Sequence, residues 1–282
     1  MEKTMRLTAI IVLYEISADT AQTICSLQAM KKTAAWAMIR QIHFVIFDNS
    51  KQAQLVPTQL LPNFEYYHSQ RNVGLAAAYN QALAIAVQQN SDYLLLLDQD
   101  TKLTPSYLAE LFTAVTAKVQ PIAIVPKIQA AGQLISPIRA AQPFKVIPVT
   151  SGYQNEVTAI NSAACLRVDF LQQCGGFELQ FPLDFLDYWL FYQVRQTHQP
   201  VLVLQSQLMH ELSVMHTQSI STARYQGIIR AEWLYYHRFQ KISSWQYWRH
   251  VWLRLFSQLI LKRDFAKVKL LLKWMIRRKP SV

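Results

Sequence analysis

The sequence predicts an α/β protein: a Rossmann-like, mostly parallel sheet flanked by helices, followed by a C-terminal amphipathic helical extension. Apolar β-type runs alternate with helical segments, the pattern of a doubly wound sheet. Three of those runs end in clusters of polar residues. The composition, 51% apolar and 16% charged with only 6 Gly and 11 Pro in 282 residues, excludes disordered, collagen-like and low-complexity chains.

The elements follow in order. Leu7 to Leu13 is a continuous apolar run, as expected of a strand buried on both faces. Residues 19–40 read as a helix, and Ile42 to Phe47 as a second buried strand ending in the turn-forming Asp48-Asn49-Ser50. Phe64 to Tyr67 is a short third strand. Asn72-Val73-Gly74 opens an Ala-rich helix reaching about residue 89. Tyr93 to Leu97 is a fourth strand ending at Asp98-Gln99-Asp100, and Thr104-Pro105 starts the next helix with a hydroxyl cap and a first-turn proline. Residues 121–168 hold short, Pro-punctuated strands of a mixed-sheet extension. The N-terminus lacks signal-peptide architecture, and no uncharged apolar run reaches the ~18 residues of a spanning helix. Three cysteines without metal-site spacing, Cys25, Cys165 and Cys174, are expected as reduced, buried, inert thiols of a cytoplasmic protein.

Charge is unevenly spread. The net charge is +11, and residues 241–282 contribute +10 of it, from eleven bases and Asp264. The body is nearly neutral, which argues against nucleic acid, since a nucleic-acid-binding body should carry a basic face of its own. In the tail, Trp245, Trp248, Trp252, Phe256, Phe265 and Trp274 interleave with Arg and Lys. That composition suits a helix lying among anionic lipid headgroups. Read as a helix, Phe265, Val268, Leu272 and Ile276 share one face and Lys267, Lys273, Arg277 and Arg278 the other, with Leu270 and Trp274 intruding on the polar side. The alternatives are a helical pair packed on the body with a solvated basic face, or an oligomer contact. The expected organisation is a domain over 1–240 and a basic aromatic tail over 241–282, peripheral on the inner face of the cell membrane.

In open α/β sheets, ligands bind beyond the carboxyl ends of the strands. Tyr14-Glu15, Asp48-Asn49-Ser50 and Asp98-Gln99-Asp100 would meet along one such edge. Asp98 and Asp100, two apart in an extended segment, would point to the same side and repel unless a cation sits beside them. Mg²⁺ or Mn²⁺, which takes oxygen ligands and binds phosphates, would suit. The bland reading is two solvated turn aspartates, one capping the next helix. Gly74 at a helix mouth would allow close backbone approach to a ligand and put the positive helix end near an anion, and Arg71 could pair with phosphate.

The set Ala9 to Tyr14, Phe47-Asp48-Asn49-Ser50, Arg71 to Asn80 and Leu97 to Thr101 resembles, in order and spacing, family 2 glycosyltransferases of the GT-A fold, with closest resemblance to the rhamnosyltransferase-like branch. The resemblance covers residues 7 to about 240. It implies inverting transfer of a sugar, best rhamnose from dTDP-rhamnose, from a nucleotide diphosphate donor to a hydroxyl of a cell-surface polysaccharide or lipid-linked glycan. The same chemistry with a UDP-hexose or galactofuranose donor is the alternative, and a non-catalytic nucleotide-sugar-binding protein a remote one. By resemblance, Tyr14, Glu15 and Asp48 belong to the base pocket. Arg71, Gly74 and Asn80 run along the nucleotide. Asp98 faces ribose and metal, and Asp100 is the metal ligand. Ser162 sits in a block where relatives have Ser-Gly and this chain has Ser162-Ala163, a change expected to reshape the acceptor pocket. Asp184 and Asp187 match the family's acidic segment, with Asp187 on the catalytic base and Trp189 where relatives often have a second acid. His210 matches a residue completing the metal site. Arg224 and Arg230 match a segment closing over the diphosphate.

Overall fold

The computed structural model describes residues 5–140, 144–210, 220–261 and 263–277. The chain forms two compact units, 1–211 and 212–282.

The first unit is built on β1 (Leu7–Leu13), α1 (Gln22–Ala29), α2 (Ala35–Ile39), β2 (Ile42–Asp48), β3 (Phe64–His68), α3 (Gly74–Gln88), β4 (Tyr93–Asp98), β5 (Thr101–Lys102) and α4 (Pro105–Val115). It continues with β6 (Ala123–Ala130), β7 (Gln133–Ser136), β8 (Ile138–Arg139), β9 (Gly152–Gln154), β10 (Val157–Thr158), β11 (Cys165–Arg167), α5 (Val168–Gln173), α6 (Leu186–Gln196) and β12 (Val201–His210). The main sheet runs β3-β2-β1-β4-β11-β6-β12-β5, with β7 beside β6 and β9 beside β12; β8 and β10 form a separate pair. The strands β3, β2, β1 and β4 are mutually parallel, as are β6 and β12, while β11 runs antiparallel between them. All seven β1 residues are buried, the consequence of helices covering both faces.

Two expectations change locally. The helix expected over 19–40 is broken: Thr33 is extended, and its hydroxyl donates to the Met30 carbonyl at 2.9 Å, offering the backbone an alternative to the helical ladder. The cysteines are not uniformly buried. Cys165 is buried, Cys174 half-buried and Cys25 exposed on the outer side of α1. By contrast, α4 starts as expected, with the Thr104 hydroxyl accepting from the Tyr107 amide at 3.2 Å and Pro105 in the first turn.

The second unit contains α7 (Thr222–Leu234), a π-helical turn (Tyr235–Phe239), α8 (Ser244–Phe256), a second π-helical turn (Ser257–Leu261) and α9 (Phe265–Arg277). It begins before the boundary expected at 240, because α7 packs with α9 and is bound to α8 by a buried ion pair. That pair joins Arg254 Nη2 to Glu232, whose side chain is 3% exposed. The orientation of α9 also departs from expectation. Lys267 is buried with Val268 and Leu271, bonded to Asp264 at 2.7 Å and lying 5.6 Å over the Tyr225 ring. The stripe Phe265, Leu272 and Ile276 faces outward instead. The side chains of Arg277 and Arg278 lie outside the described residues. Among the described residues no helix is long and apolar enough to cross a membrane.

Candidate active site

Register places the polar strand ends together. Leu13 pairs with Asp48 on one side of β1, and Val12 with Asp98 on the other, so the carboxyl ends of β2, β1 and β4 share one edge. The connections beyond them are tied to each other. The Tyr14 amide donates to Gln99 Oε1 at 2.8 Å, the Glu15 amide to Ser50 Oγ at 2.7 Å and the Lys51 amide to Glu15 Oε1 at 3.3 Å. Glu15 adopts a left-handed φ of 50° to make this corner. A cleft of about 470 Å³ opens here, lined by residues 15–17 and 50–55. That volume lies within the usual range for small-molecule sites.

Asp48 is fully buried behind this cleft. One carboxylate oxygen accepts from the Ser50 amide at 2.9 Å and the other from the Tyr66 hydroxyl at 2.7 Å, so it shapes the turn from beneath. Burial, with Asp48 alongside, pushes the Tyr66 hydroxyl up to about 12 and keeps it a donor, although the Gln54 amide opposes the shift.

The segment 98–101 is a turn between β4 and β5, so strand alternation does not align Asp98 with Asp100, contrary to the extended reading. Thr23 of α1 fixes this turn. Its hydroxyl bonds the carbonyls of Asp98 and Thr101 and accepts from the Thr101 amide, and its amide donates to the Gln99 carbonyl at 3.2 Å. The Asp98 carboxylate is gripped by two hydroxyls: Ser162 Oγ donates to Oδ2, and Tyr79 donates to Oδ1 at 3.4 Å. Tyr79 is fully buried, and burial, reinforced by Asp98, Asp187 and Asp100, raises its hydroxyl well above the ordinary range. It was not singled out from the sequence, although it stands inside the Arg71–Asn80 block as that block's one ring among alanines.

Ala163 follows Ser162 with φ of 60°, the region where glycine is at ease. Its methyl is wholly buried in the core, its amide bonds Leu96 at 2.8 Å, and its carbonyl accepts from the Tyr107 hydroxyl at 2.8 Å. Ala163 therefore carries left-handed backbone strain beneath Ser162, with its methyl packed in the core.

The helix mouth at Gly74 also differs from expectation. Gly74 has φ of 82°, and a Cβ there would sit 2.4 Å from the Pro182 carbonyl oxygen. That same oxygen accepts from the Leu75 amide at 2.6 Å. The close approach is made by the chain itself: the Gly74 amide donates to Asn72 Oδ1 at 3.0 Å, and the next α3 amide, that of Leu75, is satisfied by the acidic segment. Asn80 likewise holds protein: it accepts from the Phe177 amide at 2.7 Å and donates to the Phe177 carbonyl at 2.9 Å. Arg71 is exposed on the connection before α3.

These clamps deliver the segment 181–189. Phe181 is fully buried, Phe185 takes a left-handed φ of 66°, and α6 then begins with Asp187 in its first turn. Left-handed geometry in a bulky residue is costly and persists where surrounding structure enforces it. Asp187 Oδ1 accepts from the Tyr188 amide at 2.9 Å. Burial chiefly, then repulsion from Asp184 and Asp98, pushes the Asp187 carboxyl up to about 7. Asp184 is half-buried three residues earlier, whereas Trp189 is buried in the core.

His210 ends β12 and pairs through its backbone with Thr101, which puts it beside the 98–100 turn; its side chain lies outside the described residues. Asp98 and Asp100 offer the oxygen donors that Mg²⁺ or Mn²⁺ takes, so the donor chemistry fits such an ion. Among the described residues no group of three or more His, Cys, Asp or Glu side chains gathers as a metal site. Arg224 and Arg230 belong to α7 of the second unit.

The architecture and the site edge define an α/β protein with a cleft at its strand ends and an elevated carboxyl nearby. Residues 8–175, more than half of the chain, match the model of glycosyl transferase family 2, and the chain belongs to that family. Among solved structures it resembles Staphylococcus aureus TarS 1-349, at 13% identity and a TM-score of 0.51, over 84% of this chain and 73% of that one. The crystal structure of TarS 1-349 in complex with UDP aligns at 11% identity and 0.52, over 88% and 78%. The complex with UDP-GlcNAc aligns at 15% and 0.50, over 80% and 64%. These likenesses establish the GT-A fold. No curated protein matches the chain.

Proposed function

We propose that the protein is an inverting glycosyltransferase that moves a sugar from a nucleotide diphosphate donor to a hydroxyl of a cell-surface polysaccharide or lipid-linked glycan. The observation that carries this reading is the placement of Asp187 in the first turn of α6, behind the left-handed Phe185, in the same cluster as Tyr79, Asp98 and Asp100, where burial also raises its carboxyl. A base with a pKa near the working pH is best placed to take a proton during reaction. As the acceptor oxygen attacks the anomeric carbon, Asp187 receives its proton while the bond from that carbon to the diphosphate oxygen breaks on the opposite face. No covalent intermediate is required.

The nucleoside would occupy the cleft at Glu15 and Ser50–Leu55, with Tyr14 and the Asp48 turn behind it and Arg71 toward phosphate. Asp98, already gripped by Ser162 and Tyr79, would orient the donor. Asp100, with His210, would hold Mg²⁺ or Mn²⁺, which when bound supplies positive charge against the leaving diphosphate. For the donor, dTDP-rhamnose follows from the branch resemblance. A UDP-sugar is the second reading, favoured by the TarS crystals with UDP and UDP-GlcNAc. The basic second unit, with Trp245, Ile260, Leu261 and Ile276 each more than 60% exposed, suits an anionic membrane surface where a lipid-linked acceptor resides.

The test is thermal stabilisation by a panel of nucleotide sugars with and without Mn²⁺. A matching donor raises Tm of the wild type with Mn²⁺, and Asp100→Ala loses the Mn²⁺-dependent part. Absence of any response in the wild type would contradict the reading.

A further inference from the structure

Within the second unit, α7 and α9 enclose a cavity of about 730 Å³. Its composition is two-sided. Arg230 of α7 and Lys269 and Lys273 of α9 line it, all three exposed, and among the described residues no acidic one does. Ala266, Leu270 and Trp274 supply apolar wall on the same helix. At roughly 100° per residue, Lys269 and Lys273 stand between that wall and the outward stripe of Phe265, Leu272 and Ile276. The stripe residues are 68%, 43% and 73% exposed. Three cations without an acid call for an anion, and apolar surface on both sides of the lysines calls for a chain attached to it.

We propose that this cavity is a binding site for the phosphate headgroup of an anionic lipid. The phosphate is held by Arg230, Lys269 and Lys273, and the lipid's apolar part runs along Leu270 and Trp274 or the Phe265–Ile276 stripe. The site gives membrane contact a defined headgroup seat in place of diffuse attraction to a basic surface. It rests on the membrane reading above and is independent of which donor the first unit takes.

The experiment uses the full chain. Thermal shift is read with a short-chain, soluble phosphatidic acid and separately with inorganic phosphate. Co-sedimentation is read with phosphatidylcholine vesicles with and without phosphatidylglycerol. The wild type is expected to be stabilised by the lipid phosphate and not by inorganic phosphate, and to sediment only with the anionic vesicles. Replacing Arg230 and Lys273 by Ala, both exposed and so tolerated by the fold, should remove the lipid shift and weaken vesicle binding about 10-fold or more. Ala266→Trp, which obstructs the cavity and keeps every charge, should remove the lipid shift and weaken vesicle binding as well. An equal shift with inorganic phosphate, a wild type indifferent to lipid phosphate, or an Arg230/Lys273 variant that responds like wild type would each overturn the site. Equal vesicle binding by wild type and this variant would leave membrane contact standing without the cavity. A nucleotide-sugar response of the wild type and of Lys273→Ala, which leaves Arg230 in place, reports on the transferase reading separately.

Discussion

At the scale of single residues, the site depends on positions where backbone geometry leaves little choice. Gly74→Ala would drive a methyl into the Pro182 carbonyl at an already left-handed φ. It should cost about 2–3 kcal/mol in urea unfolding and lower turnover by releasing the segment that carries Asp187. A variant of wild-type stability would show that Pro182 yields easily. Ala163→Gly tests the opposite case. Relief of the left-handed strain offsets loss of a buried methyl, so stability should stay within about 1 kcal/mol of wild type; a larger loss would assign Ala163 a packing role. Asp187 predicts a pH dependence with a definite sign. Its folded pKa of about 7 lies above the ordinary 3.8, so ionising it opposes folding, fully above pH 7 and progressively less toward pH 4. Asp187→Asn should therefore raise Tm, more at pH 8 than at pH 5, while transfer by the wild type should rise with pH through about 7. A Tm gain independent of pH would contradict the elevated carboxyl. Asp98, Asp100 and the Asp48 turn were legible as a set, because apolar runs ending in acids mark strand ends. Tyr79, Thr23 and the Pro182 carbonyl were not, because their roles come from contacts between segments far apart in the chain.

At the scale of elements, the buried strands and the α3 and α4 boundaries were readable from continuous apolar runs and from Thr104-Pro105. The break at Thr33 was less visible, since a helical pattern of apolar residues continues across it. In the second unit, apolar positions alone misplace the faces of α9. Lys267 is buried because Asp264 and the Tyr225 ring receive its ammonium, leaving Phe265, Leu272 and Ile276 to face outward. The link between α7 and α8 makes a sharp prediction. Arg254→Ala leaves Glu232 buried without its guanidinium and should destabilise the second unit by about 3 kcal/mol. Hydrogen exchange should show the loss in α7 and α8 and not in β1 or β4. Among the described residues Glu232 has no equivalent second partner, since burial and Arg254 hold the neighbouring His250 down to about 4 and hence neutral at pH 7. Unchanged protection in α7 would show the pair to be dispensable.

At the scale of the whole molecule, a nearly neutral unit that carries the family 2 match is joined to a unit of strong positive charge and exposed aromatic surface. The basic tail was legible in the charge distribution, but the start of the second unit was not, because α7 carries little of the charge and is recruited by packing. Substitution on exposed faces therefore probes the second unit better than truncation at 240, which would separate Glu232 from Arg254. The two units share a purpose if sugar is passed to an acceptor anchored in lipid, and the chemistry of that transfer is the central claim. It is tested most directly by measuring donor affinity and transfer rate together in Asp187→Asn. Donor affinity should stay within a few-fold of wild type while transfer falls about a hundred- to ten-thousand-fold; transfer at a near-normal rate would contradict the account.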